Sequence, residues 1–260
     1  MYEGSKIQLS KEAEKHVYYR DQDSDIIIML GDCLEIMKEF PDKSFDSIIS
    51  DPPYGIDFCS SWTSRKERLE NDKLSDWDIL IKSFLPEFKR VITDIGCCCC
   101  CCGGGGKTPV AALFTIEAIK HFNLIQTLVW KKFIGLGWRY RPSYENIVVL
   151  SKDGNNYAFY DETKKCSNVI EGINQDIPQY NGDKAGYSDE HPTQKPVDLM
   201  KRLINTHTKV NNLILEPFMG GGSTLIAAKE LKRRAVGIEI SEKYCAMATQ
   251  RLKNTIVPMF

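Results

Sequence analysis

Short apolar runs alternate with longer segments whose apolar positions recur every three or four residues. That alternation predicts strands and helices in turn, packed as an α/β sheet. A helical spacing around Ser10–His16 comes first. Val17–Tyr19 and Ile26–Leu30, on either side of a polar turn through Asp21–Asp25, predict a hairpin. Helical spacing then covers Leu34–Phe40, Ile79–Val91, Pro109–Phe122, Val197–Thr206 and Glu242–Asn254. Strands are predicted at Ile48–Ile49, Cys97–Cys102, Leu124–Trp130, Ile147–Leu150, Asn212–Glu216 and Ala235–Ile240, the fifth leading through a glycine-rich turn into a helix ending at Leu231. The expected fold is one doubly wound α/β sheet, mostly parallel.

Two strand ends carry candidate chemistry. After Ile48 and Ile49 the chain reads Ser50-Asp51-Pro52-Pro53-Tyr54-Gly55. Neither proline donates a backbone hydrogen bond, each fixes its own φ, and Pro53 pushes Pro52 out of the helical region. Asp51 and Tyr54 therefore sit on a stiff extended loop at the carboxyl end of a strand, where open α/β sheets place ligands. The Asp51 carboxylate and the Pro52 carbonyl are two acceptors for the two hydrogens of a planar amino group, and the Tyr54 ring can stack on a heterocycle. An ordinary Asp-Pro turn would use the same residues, so the loop alone does not decide.

The second end is Glu216-Pro217-Phe218-Met219-Gly220-Gly221-Gly222-Ser223-Thr224. Its glycines let backbone approach a ligand, and the helix that follows begins with free N–H groups. Glu239 ends the next strand about 20 residues on, the separation at which an acid meets ribose hydroxyls in dinucleotide-type folds. A nicotinamide-dependent dehydrogenase would use this turn and Glu239 but would leave the proline loop unexplained. A non-catalytic nucleic-acid-binding module would not need the turn.

The chain resembles S-adenosylmethionine-dependent DNA amino-methyltransferases of the DPPY type, in the circularly permuted order that puts the catalytic loop before the cofactor loop. The matching pieces are GDCLEIM at Gly31–Met37, DPPYG at Asp51–Gly55, HPTQKP at His191–Pro196, EPFMGGGST at Glu216–Thr224 and GIEIS at Gly237–Ser241. The acid opening the cofactor motif is usually Asp in the family and is Glu216 here. The resemblance implies a Rossmann-like methyltransferase fold and S-adenosylmethionine as cofactor. It implies double-stranded DNA as partner and methyl transfer to the N6 amino group of adenine in a flipped-out nucleotide. Adenine is expected over cytosine N4 because the cytosine-amino members more often begin the catalytic motif with Ser. Asp51, Pro52, Pro53 and Tyr54 take the catalytic positions. Asp32, Lys195, Glu216, Pro217, Phe218, Gly220, Gly222, Ser223, Thr224 and Glu239 take the cofactor-binding ones, with Asp32 near the cofactor adenine and Lys195 near its methionine end. Asp32 also suits a helix N-cap. His191 is not expected to be catalytic.

A net charge of −1 and an ordinary composition, 42% hydrophobic and 27% charged, place any DNA surface in local clusters. Lys131, Lys132, Arg139 and Arg141, interleaved with aromatics, are the candidate DNA-binding residues. Asp57–Asp78, polar and charged with Trp62 and Trp77, is expected to be a mobile loop, and about 135–190 a target-recognition insertion in a single domain. Six of the ten cysteines are consecutive, Cys97–Cys102. Neighbouring cysteines on a strand face opposite ways and complete no zinc spacing, so a buried central strand is expected there and no metal. No run resembles a signal peptide or a membrane span, and a cytoplasmic location is expected.

Overall fold

The computed structural model describes residues 6–53, 74–103, 109–132, 140–161, 163, 165–173 and 194–257. In chain order the elements are α1 (Lys11–Glu14), β1 (Val17–Asp21), β2 (Ile26–Leu30), α2 (Cys33–Lys38), β3 (Phe45–Ser50), α3 (Leu74–Val91), β4 (Ile92–Cys101) and α4 (Val110–Ala118). They continue as β5 (Asn123–Lys131), β6 (Tyr144–Ser151), β7 (Val169–Ile170), α5 (Val197–His207), β8 (Leu213–Glu216), α6 (Ser223–Glu230), β9 (Arg234–Glu239) and α7 (Glu242–Asn254).

Among the described residues, nine strands form one sheet in the order β1-β2-β9-β8-β3-β4-β6-β5-β7. Strands β2, β9, β8, β3 and β4 are mutually parallel. The antiparallel members are β1, at one edge, and β6, which lies inside the sheet between β4 and β5. An internal antiparallel strand has a consequence for the site: β6 starts at the edge where β4 and β5 end.

Helices cover both faces. Buried side chains of α2, α3 and α4 share one core with Ile27, Met29, Ile48, Cys98, Cys100 and Cys102. Those of α5, α6 and α7 share the other with Ile26, Ile28, Ile49, Cys99 and Cys101. Central strands therefore read as unbroken apolar runs, since both faces are covered. The cysteine run is such a strand, alternating residue by residue between the two cores. Burial pushes its thiols above their ordinary range.

From β3 the chain crosses through α3 to β4 on one side, and from β8 through α6 to β9 on the other. The sheet thus changes winding direction between the paired strands β3 and β8, the place where a doubly wound sheet opens a crevice for ligands.

Two expectations need correction. The loop expected over 57–78 is helical from Leu74, and Trp77 is a core residue at 4% exposure. It opens a buried stripe with Ile81, Phe84, Leu85 and Phe88, spaced to face the sheet. The segment 135–190 is also not a separate insertion throughout, because it supplies β6 and β7 to the sheet. Residues 57–73 and 174–190 lie outside the described residues.

Candidate active site

Five parallel strands bring their carboxyl ends to one edge, and the candidate residues are spread along it. Strand β3 is locked into place from below. Asp46 accepts the Leu213 N–H of β8 at 2.8 Å, and Ser47 donates to the Cys97 carbonyl of β4 at 2.8 Å. Asp51 follows immediately, with Pro52 buried beneath it. The Lys195 ammonium donates to Asp51 Oδ2 at 2.7 Å. Lys195 precedes α5 and its side chain is 6% exposed, against 25% for Asp51.

A second carboxylate stands beside this pair. Glu145, the second residue of β6, has Oε2 3.5 Å from Lys195 Nζ, and its Oε1 accepts from Lys132 Nζ. Burial pulls the Lys195 pKa down, but Asp51 and Glu145 outweigh it and hold the ammonium well above its ordinary range. Burial likewise opposes ionisation of Glu145, and the two lysines overcome it to hold that carboxyl below its ordinary value. Among the predicted DNA-binding residues, Lys132 is thus turned to Glu145, with its ammonium 5.1 Å from the Trp130 ring centroid. Lys131 pairs with Glu171 on the surface at 2.7 Å, and Arg141 is exposed.

On the β8 side, Gly220 (φ 49°) and Gly222 (φ 80°) adopt left-handed backbone that a side chain would strain. Gly222 caps α6, so the turn delivers Ser223 and Thr224 into its first turn. Pro217 is buried, and the half-buried Phe218 packs edge-on against Phe84 at 5.4 Å between centroids. Glu216 is 2% exposed. Its carboxylate accepts the Thr224 hydroxyl at 2.8 Å, the Phe218 N–H at 3.2 Å and the Asp51 N–H. Burial pushes its pKa up to about 8, only partly offset by those donors. Glu216 therefore ties the glycine turn to the proline loop from inside the protein.

Glu239 ends β9 with its carboxylate gripped by two backbone groups, Gly220 N–H at 3.0 Å and Ser241 N–H at 2.8 Å. Asp32 stands at the end of the neighbouring strand β2, where Gly31 N–H donates to the Glu239 carbonyl at 2.9 Å. It caps α2 by accepting the Leu34 N–H at 2.8 Å. The edge thus brings together Asp32, Glu239, the glycine turn, Glu216, Asp51, Pro52, Pro53 and Lys195. Tyr54, Arg139 and His191 lie outside the described residues.

Sequence reasoning did not single out Glu145. The available signal was slight: it is the acid at the start of an otherwise apolar strand. Buried hydroxyl or amide oxygens of Ser50, Gln194 and Ser223, at or next to this edge, have no hydrogen-bond partner among the described residues, as do those of Ser24 and Thr93 at the other end of the sheet. Buried polar atoms are normally satisfied, so the three at this edge fit a site that holds a polar ligand.

A doubly wound sheet with an acid loop and a glycine turn on opposite sides of its switch point defines a Rossmann-like α/β enzyme. A family model described as a DNA methylase, covering N6 and N4 methyltransferases, matches residues 45–250, and the chain belongs to that family of S-adenosylmethionine-dependent DNA methyltransferases. It is 28% identical over 259 residues to the type II methyltransferase M2.MboI of Moraxella bovis, covering 90% of both chains. It shares its fold with a putative DNA modification methylase from Thermus thermophilus complexed with S-adenosyl-L-methionine. There the TM-score is 0.65 at 21% identity, covering 90% of this chain and 95% of that one. It also shares it with the cytosine-N4-specific PvuII DNA methyltransferase, at TM-score 0.66 and 18% identity, covering 88% and 87%. No described helix is long and apolar enough to cross a membrane, and among the described residues no group of His, Cys, Asp and Glu could hold a metal ion.

Proposed function

We propose that the protein transfers a methyl group from S-adenosylmethionine to the N6 amino group of adenine in double-stranded DNA, at a site set by its sequence. The observation that carries this reading is the placement of Asp51 and Glu239 at the carboxyl ends of parallel strands of one sheet, with the glycine turn between them. The residues suit the cofactor. Glu239 offers a carboxylate to ribose hydroxyls, and Asp32 on the adjacent strand end is placed for the adenine amino group. Gly220 and Gly222 admit a close backbone approach, and the Ser223 hydroxyl, unpartnered among the described residues, opens α6. Bound there, S-adenosylmethionine supplies an electrophilic methyl carbon on sulfur.

The protein's own part is positioning. A base inside a duplex cannot reach the end of β3, so the target nucleotide rotates out of the stack, with Tyr54 as the ring for it to rest on. The exocyclic nitrogen of adenine is a poor nucleophile because its lone pair is delocalised into the ring. The Asp51 carboxylate and the Pro52 carbonyl each accept one amino hydrogen, and this pair of acceptors turns the lone pair toward the methyl carbon. The N–C bond would form as the methyl–sulfur bond breaks, leaving a neutral thioether; positive charge that grows on the nitrogen beside the Asp51 carboxylate is stabilised there, and one N–H proton then passes to solvent. Lys131, Arg139 and Arg141 are assigned to phosphate contacts.

N4-cytosine transfer uses the same amino chemistry, and the family model spans both. The Asp that opens this motif favours adenine. Hydrolysing DNA from cells that express the protein and separating its nucleosides by mass decides between them. N6-methyladenine is the expected product, and N4-methylcytosine in its place would overturn the adenine assignment.

A further inference from the structure

A buried ammonium against the carboxylate that must receive the substrate is unusual, because it competes with the substrate for that carboxylate. Lys195 donates to Asp51 Oδ2 at 2.7 Å and is 7% exposed as a residue. Behind it stand Glu145, 3.5 Å from the same nitrogen, and Lys132 on Glu145. The four charges alternate in sign across four segments of chain: the loop after β3, the residues just before α5, the start of β6 and the residue just after β5. Desolvated charges persist when they are paired in this way, and removing one member leaves its neighbours uncompensated.

We propose that Lys195 is a positioning residue for methyl transfer, fixing the plane of the Asp51 carboxylate at the target amino group, and that Glu145, steadied by Lys132, holds Lys195 there. The inference rests on the function proposed above and assigns a role to that same site. A free carboxylate turns about its last bond, and an amino group bound to it would follow. With Oδ2 committed to Lys195, the carboxylate keeps one orientation, and the nitrogen lone pair keeps one direction. The strand end that carries Lys131 is joined to the reacting loop through Lys132 and Glu145, so a phosphate contact there and the orientation of Asp51 share one rigid unit.

This role separates cleanly from a contact with the methionine end of the cofactor. In Lys195→Met the affinity for S-adenosylmethionine, read by calorimetry without DNA, should stay within about threefold of the parent. The kcat at saturating cofactor and DNA should fall about 100-fold, the size expected of a misplaced reacting group. Lys195→Arg, which keeps the charge, should recover part of the loss. In an Asp51→Asn background, Lys195→Met should change the residual rate by less than about threefold, because the group it positions is already altered. Glu145→Gln should lower kcat by about tenfold with cofactor affinity unchanged, and it carries the same test if Lys195→Met does not fold. The proposal is overturned if Lys195→Met keeps the parent rate, or if it loses cofactor affinity while its saturated rate matches the parent. Losses that multiply in the Asp51→Asn background would overturn it too. A parent protein that binds the cofactor but methylates no DNA would instead refute the proposed function.

Discussion

The Thr224 hydroxyl donates to Glu216 Oε2 at 2.8 Å, deep between the glycine turn and the proline loop. Two backbone N–H groups, from Phe218 and Asp51, reach the same carboxyl. Donors of this kind favour the ionised form, but the group is 2% exposed and burial dominates, raising its pKa to about 8. The carboxyl is thus a bridge between the two loops whose charge changes as pH passes about 8.

That shift fixes the sign of a stability change. Between an unfolded pKa near the ordinary carboxylate value and a folded pKa of about 8, the folded protein binds the extra proton. Stability therefore falls as pH rises through that window, by an amount on the order of a few kcal/mol. Glu216→Gln, which stays neutral, should be insensitive to this term. Thermal melts of parent and variant at pH 5 and pH 9, without cofactor, should show the variant gaining on the parent as pH rises. A constant difference in melting temperature would refute the buried titration.

Asp51→Ala should abolish methyl transfer and leave cofactor affinity nearly intact, since the carboxylate faces the Lys195 ammonium and the proposed base site. Asp51→Asn should also be severely impaired, because an amide offers one acceptor oxygen and a competing donor. Single-turnover rates with cofactor binding measured alongside check both. A rate for Asp51→Ala within a few-fold of the parent would remove Asp51 from the mechanism.

The cysteine strand yields a stability prediction. Cys99 is fully buried between β3 and β6, paired in register with Ile49 and Val149. Cys99→Ser exchanges a weakly polar thiol for a hydroxyl that must find a partner, and should destabilise the fold by about 1–3 kcal/mol. Cys99→Ala should lose packing only. Chelators should leave the melting temperature unchanged. A chelator-sensitive melt would return the cysteines to metal chemistry.

Much of this was legible in the chain because the relevant signals are local. The bounds Glu242–Asn254 are readable from Ser241 as N-cap, Glu242 in the first turn and Arg251 and Lys253 in the last. The cysteine run was readable as a strand because any residue run buried on both faces looks alike. The position of β6 was not readable, since a short apolar strand carries no mark of its direction or neighbours. Trp77 reads as loop in the sequence because the charged residues before it mask the stripe that begins there. The join of Glu145 to Lys195 spans fifty residues and depends on where β6 is inserted, which no local pattern encodes. The proline loop and glycine turn were visible because backbone geometry restricts them to few residue types, whereas Glu145 answers only to its neighbours in space.

Glu239 allows the cofactor assignment to be tested against a purely structural role. Its carboxylate accepts Gly220 N–H at 3.0 Å and Ser241 N–H at 2.8 Å, so Glu239→Ala both removes the ribose acceptor and frees the glycine turn. Weaker S-adenosylmethionine binding, by about 1–3 kcal/mol, is expected from the lost charge-assisted bonds but would not by itself separate the two effects. Glu239→Gln does so in part, since its amide oxygen can still accept a backbone donor and steady the turn. A ligand lacking the ribose hydroxyls completes the comparison. The parent should lose affinity for that analogue, whereas Glu239→Ala should bind the analogue and the natural cofactor almost equally. Calorimetry over these combinations forms a double-mutant cycle between the carboxylate and the hydroxyls, and a coupling near zero would leave Glu239 as a brace for the glycine turn.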